Sequence, residues 1–261
     1  MTLAVLGRVS AGFILATDRI EVSPDPFRPD LSGEPSITRI LLSRKRPLGV
    51  LFWGGGGLGA STFSEISGRF EDWAEKEGSP LRKIADDLAR FLAQRALPSF
   101  SSLRPYLLPR TGFFLAGFET EGEAVARDWV WEMAEPFSPP RPGRAERPEE
   151  PRYGFNWRGD QEVWMTRLIL GYDPALLGLL ESHLSTSQER LVPLFRRVEL
   201  PISYSSMDLE QAMNMAAYMI NATLGLLHLL TFHRQWRWEI EMAIITPEEA
   251  RRVMPQESQE T

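Results

Sequence analysis

The chain has 261 residues, 43% of them hydrophobic and 25% charged, with a formal net charge of −6 and a pI near 5.3. That length and balance describe a globular protein that can build a core without covalent staples. With no cysteine present, disulfides, thiolate zinc sites, iron-sulfur clusters and cysteine nucleophiles are excluded, and the acidic balance argues against nucleic acid as a partner.

The opening MTLAVLGRVSAGFILATD lacks the basic start, long apolar run and small-residue cleavage site of a secretory signal, so a cytoplasmic location is expected. Residues 3–9 and 13–17 read as two antiparallel strands joined at Ser10-Ala11-Gly12. Residues 23–36 hold four prolines, one glycine and three carboxylates, which is loop chemistry. Strand-like runs resume at 37–42 and 48–53, with Arg44-Lys45-Arg46 as a solvated turn between them.

Four glycines, Gly54 to Gly57, follow, and Phe63, Ile66, Phe70 and Trp73 then recur at helical spacing from Ala60 onward. The lysine and hydroxyl residue that would make the glycines a phosphate loop are absent. Ser79-Pro80 caps a second amphipathic helix carrying Leu81, Ile84, Leu88, Phe91 and Leu92. Residues 112–118 and 128–133 read as strands, and the Pro, Arg and Glu crowded into 135–152 predict a mobile insertion.

Further strands are expected at 153–157 and 162–170, then a helix from about Pro174. A longer helix is expected from near Ser205, with Ser205 and Asp208 as its cap. The uncharged stretch from Gln211 to Phe232 is long enough to span a membrane. Asn214, Asn221, Thr223 and His228 spread along it instead predict a buried core helix, with no membrane partner. Residues 238–245 alternate as a half-buried strand, and the polar tail after Pro247 is expected to fray.

Strands, two helices, strands, two helices and a strand suit an α+β arrangement of two stacked sheets with helices outside, one domain over residues 1–261. His183, His228 and His233 lack metal-ligand spacing, and Asp72, Glu75, Asp86 and Asp87 read as solvated helix faces, so neither metal nor cofactor is expected.

This order, with particular residues, resembles the proteasome-type N-terminal-nucleophile (Ntn) hydrolases and their beta-subunits, and the resemblance covers most of the chain. Thr2 opens the first strand and Asp18 ends the second in Leu15-Ala16-Thr17-Asp18, a separation similar to that between the family's nucleophile and its strand-end aspartate. Phe52-Trp53-Gly54-Gly55 resembles its glycine turn, Thr111 to Phe118 its next central strand, and Leu200 to Thr246 its closing helix and strand. The start of the chain, without the extension that inactive ring subunits carry, resembles the catalytic type.

The resemblance implies a four-layer αββα sandwich, two stacked antiparallel sheets flanked by helices. It also implies a threonine-type amide hydrolase acting on peptides or proteins, with self-association. Thr2 would be the nucleophile and its own α-amine the base, once Met1 is removed, an event that a small second residue permits. Asp18 and Arg39 would set the local charge, and the N–H of Gly54 or Gly55 would serve as oxyanion donor.

Three positions depart from the family. Arg39 stands where a lysine is expected, and a guanidinium with a pKa above about 12 cannot exchange protons near neutrality. Lys45 is the alternative, but it lies too close to Gly54 in sequence for the family's strand length. Gly171-Tyr172-Asp173 and Asn221-Ala222-Thr223-Leu224-Gly225 replace the family's later serine and aspartate positions. These departures keep open a second reading, a non-catalytic oligomeric assembly or binding protein on the same fold.

Overall fold

The computed structural model describes residues 3–22, 40–54, 60–76, 79–100, 111–119, 124–132, 141–142, 153–159, 161–173, 175–184, 187–197, 199, 201–231 and 236–253. The chain opens as a hairpin, β1 (Leu3–Val9) and β2 (Gly12–Val22), turned by Ser10 and Ala11. Gly12 is required there: its φ is +151°, and a Cβ would sit 2.2 Å from the carbonyl oxygen of Ile245.

A second run, β3 (Ile40–Leu42) and β4 (Leu48–Trp53), leads to helices α1 (Ala60–Glu75) and α2 (Leu81–Phe100). Strands β5 (Gly112–Glu119), β6 (Val125–Glu132), β7 (Arg141–Pro142) and β8 (Gly154–Gly159) follow. Helices α3 (Glu162–Leu170), α4 (Ala175–Leu184), α5 (Gln188–Phe195) and α6 (Leu209–Thr231) precede β9 (Trp236–Ile245) and β10 (Ala250–Val253).

The strands form two five-stranded antiparallel sheets. One has the order β10-β9-β2-β1-β8 and the other β3-β4-β5-β6-β7. Strand alternation divides the apolar residues into three cores. Ala4, Leu6, Phe13, Leu15, Leu51, Trp53, Phe114 and Ala243 fill the space between the sheets. Leu3, Val5, Ile14, Ala16, Met242 and Ile244 face the other way, onto α3 and α6. Leu48, Val50, Phe52, Phe113 and Leu115 pack beneath α1 and α2. The order of layers is helix, sheet, sheet, helix, and the expected αββα sandwich is present.

Several elements depart from the sequence reading. Residues 162–170, rich in residues that favour strands, form α3 instead of a strand. Met165 and Ile169, four apart, are its buried side, and Gly171 in the left-handed conformation (φ 78°) closes it by donating to the Arg167 carbonyl. The helix expected from Pro174 is two helices, α4 and α5. Asp208, not Ser205, caps α6: its carboxylate accepts the Gln211 N–H at 2.7 Å while its own N–H donates to the Gln211 side chain at 3.2 Å. Ser205 lies in the preceding 3-10 turn.

The tail past Pro247 does not simply fray, because Ala250–Val253 pairs with β9 as an edge strand. The predicted insertion at 135–152 lies outside the described residues, apart from Arg141 and Pro142, which pair with β6. Helix α6 is long and apolar enough to cross a membrane, yet Ala212, Ala216, Met219, Ile220, Leu224 and Leu227 are buried along one side of it against the first sheet. That is the core helix read from the sequence.

One polar tie runs through the space between the sheets. Arg8 of β1 pairs with Asp128 of β6 at 3.2 Å, both side chains nearly excluded from solvent, and donates to the Ala126 carbonyl at 3.3 Å. Removing one partner of a buried pair leaves an uncompensated charge, so Arg8→Met is expected to lower unfolding free energy by about 3–5 kcal/mol. Adding Asp128→Leu recovers most of that loss, and urea unfolding of the parent and the two variants checks it. Phe114 is fully buried with its ring 4.8 Å from that of Trp53; Phe114→Ala is expected to cost about 3–5 kcal/mol in the same measurement.

Candidate functional site at the end of the first hairpin

The hairpin register places Asp18. From Val9 opposite Gly12 the pairing runs through Leu6 and Leu15 to Ala4 and Thr17. The next pair along is Leu3 and Asp18, and there side chains take over from the main-chain ladder. The Leu3 N–H donates to Asp18 Oδ1 at 2.5 Å, and the Thr17 hydroxyl donates to the Leu3 carbonyl at 2.8 Å. Thr17 and Asp18 are each only 1% exposed.

Consecutive strand residues point to opposite faces. Thr17 therefore shares the inter-sheet face with Phe13 and Leu15, while Asp18 shares the helix-side face with Ile14 and Ala16. Leu3 is gripped from both sides of the sheet. Its N–H belongs to the peptide that joins it to residue 2, so the buried carboxylate is anchored one peptide from the expected nucleophile.

Gly54 follows Trp53, whose indole lies in the same inter-sheet core as Ala4. Its φ of +75° is a left-handed conformation, which explains a glycine at this strand end. Of the site residues expected from sequence, Gly54 is thus placed just past the end of β4, whereas Asp18, expected to end the second strand, lies within β2, which runs on to Val22 along β9. Thr2, Arg39 and Gly55 lie outside the described residues.

Lys45, the alternative cation, is in the turn before β4, at the opposite end of that strand from Gly54. It is exposed and pairs with Glu75 of α1 at 2.9 Å. Its surroundings are those of a surface turn.

Two contacts near this end went unread in the sequence. Glu241 stands opposite Thr17 in the β2–β9 register and forms an ion pair with Arg252 of β10. Arg252 also donates to the Ile40 carbonyl at 2.5 Å, which ties the edge of the first sheet to the residue that follows Arg39. Burial lowers the guanidinium's pKa. The sequence signal was faint, because Arg252 sits in a segment that resembles a polar tail.

Among the described residues no three His, Asp or Glu side chains gather as metal ligands. His183 lies on α4 with its Nδ1 2.8 Å from the Leu179 carbonyl, and His228 lies on α6. His233 lies outside the described residues.

No protein-family model matches the sequence, and no curated protein does. Solved structures do match. Anbu (ancestral beta-subunit) from Yersinia bercovieri aligns with a TM-score of 0.52 and 14% identity, over 98% of this chain and 88% of that one. The helical assembly of the Anbu complex from Pseudomonas aeruginosa gives 0.54 and 10%, over 98% and 88%. An Anbu (Gly-1) mutant from Hyphomicrobium sp. strain MC1 gives 0.52 and 14%, over 99% and 90%.

These matches correct the resemblance drawn from the sequence. These three similar structures are Anbu proteins, whereas the sequence motifs pointed to proteasome beta-subunits, and identities of 10–14% carry the fold without a family assignment. The reason is physical. The interval from the first strand to Asp18 follows from a hairpin with a two-residue turn, and the glycine turn from a strand that must end in a left-handed residue. Such features belong to the architecture and do not single out one family. The chain has a proteasome-like Ntn fold, of the kind seen in Anbu.

Proposed function

We propose that this chain is an N-terminal threonine amide hydrolase acting on peptides. The observation that carries the reading is the buried carboxylate of Asp18 holding the Leu3 N–H at 2.5 Å, one peptide from Thr2. Taking a carboxylate out of water is costly unless it is hydrogen-bonded or balanced by positive charge, and a terminal α-ammonium or the Arg39 guanidinium would supply that balance.

In this reading Met1 is removed and the freed α-amine of Thr2 takes the proton from its own hydroxyl. The oxygen attacks the substrate carbonyl, and a backbone N–H at Gly54 or Gly55 donates to the developing oxyanion. The amine then passes its proton to the leaving nitrogen as the C–N bond breaks. Water releases the acyl group and restores the hydroxyl.

A second reading, a non-catalytic assembly subunit, is favoured by Arg39 in place of a proton-exchanging lysine and by α4. Among the residues of α4, ALLGLLESHL, none is buried, and Leu179 and Leu184 are 58% and 59% exposed. An apolar helix left open in this way is suited to a partner surface, and the Pseudomonas aeruginosa protein of the same fold forms a helical assembly. Self-association is compatible with both readings.

Intact-mass analysis with a threonine-directed β-lactone separates them. The catalytic reading expects loss of Met1 and one adduct that Thr2→Ala abolishes; retention of Met1, or a processed chain that takes no adduct, sinks it. The amine must be neutral to act as base, so acylation is expected to climb with pH through the amine's pKa, ordinarily about 7.7–8.0, and to fall about tenfold per unit below it. Arg39→Lys is expected to raise peptide hydrolysis, and an unchanged rate would show that position 39 does not face the amine. Leu179→Lys with Leu184→Lys is expected to reduce the assembly's mass in analytical ultracentrifugation.

A further inference from the structure

We infer that Thr17 is a positioning residue for this site: through its hydrogen bond to the Leu3 carbonyl it fixes Thr2 in the attacking geometry. The inference rests on the amide-hydrolase reading and deepens it.

Among the described residues, main-chain pairing between β1 and β2 runs as far as Ala4 and Thr17, whereas β1 goes on pairing with β8 at Leu3 and Gly159, and β2 goes on pairing with β9 as far as Val22. The two strands lose their ladder one residue from the candidate nucleophile. Without a substitute, the end of β1 would be held on one side only.

Thr17 and Asp18 supply the substitute. The Asp18 carboxylate accepts the Leu3 N–H, which fixes the peptide plane between residues 2 and 3. The Thr17 hydroxyl donates to the Leu3 carbonyl, which fixes the plane between residues 3 and 4. A peptide unit is planar and carries the Cα atoms at both of its ends. Locking the planes on either side of Leu3 therefore sets the position of the residue 2 Cα, and a displacement of about 1 Å at such a point costs on the order of 10²-fold in rate.

Thr17 cannot be read as filler for the core alone. Its Oγ1 lies 2.8 Å from the Leu3 carbonyl and 3.4 Å from the Asp18 carbonyl, so the shorter bond is the one across the strands. Valine has nearly the same shape and would fill the same buried space. The hydroxyl is what makes the bridge.

The test compares the full-length chain, after natural processing, with Thr17→Val, Thr17→Ala and Thr17→Ser. Three quantities are read: the rate of β-lactone acylation, KM and kcat for a peptide substrate, and amide exchange at Leu3. Thr17→Val is expected to slow acylation and kcat about 10- to 100-fold, the loss of one buried hydrogen bond, with KM within about twofold. Exchange at Leu3 is expected to quicken about tenfold on the same ground. Thr17→Ser restores the hydroxyl and is expected to return all three toward the parent values. If Thr17→Val does not fold, Thr17→Ala, which removes the hydroxyl together with the γ-methyl, is compared with Thr17→Ser, which lacks the γ-methyl but keeps the hydroxyl.

An acylation rate and a Leu3 exchange rate unmoved by loss of the hydroxyl would overturn the inference, as would a serine variant no faster than valine. A parent chain that forms no adduct overturns the hydrolase reading itself, and the positioning role falls with it. The two failures are therefore distinct.

Discussion

The turn at Ser10 and Ala11 is the constraint on which the rest depends. Two residues close the hairpin, and from them each pair between β1 and β2 is counted off until Leu3 faces Asp18. A slip of one residue would move every side chain to the opposite face. Phe13 and Leu15 would leave the inter-sheet core, Ile14 and Ala16 would leave the helix side, and the carboxylate would no longer reach the Leu3 N–H. Gly12 protects the register, since a side chain there would collide with the Ile245 carbonyl.

The two sheets then give the site its surroundings. Each central strand is apolar on both faces because one face meets the other sheet and the other meets helices, so β1 and β4 are buried along their entire length. Within so dry a medium, polar groups must find partners. Polar ties between the two sheets include Arg8 with Asp128, Arg158 with Glu132, and Arg252 with Ile40. The hydrogen bonds of Thr17 and Asp18 to Leu3 belong to the same economy, and they fall where the main-chain ladder stops.

Much of the architecture was legible in local pattern. The helical spacing of Ile66 and Phe70, that of Leu81, Ile84 and Leu88, and the alternation at the end of β9 each carry their own signal, and each element formed where the pattern placed it. The failures share a cause. Residues 162–170 combine strand-favouring side chains with an apolar composition, and only packing against α6 selects the helical face of Met165 and Ile169. Ala250–Val253 reads as tail because an edge strand draws its partner from elsewhere in the chain, here β9.

The sequence by itself determined the cysteine-free chemistry, the hairpin with Asp18 at its end, the glycine-terminated β4 and the alternating patterns that require two buried sheets. Those are local properties, written in residue type and spacing. Tertiary structure alone decided that Thr17 and Asp18 close on Leu3 from opposite faces, that Arg252 reaches Ile40, and that α4 is left uncovered. Such contacts join residues distant in sequence or depend on where a ladder stops. Their formation is settled by how the layers meet, which no single stretch of chain encodes.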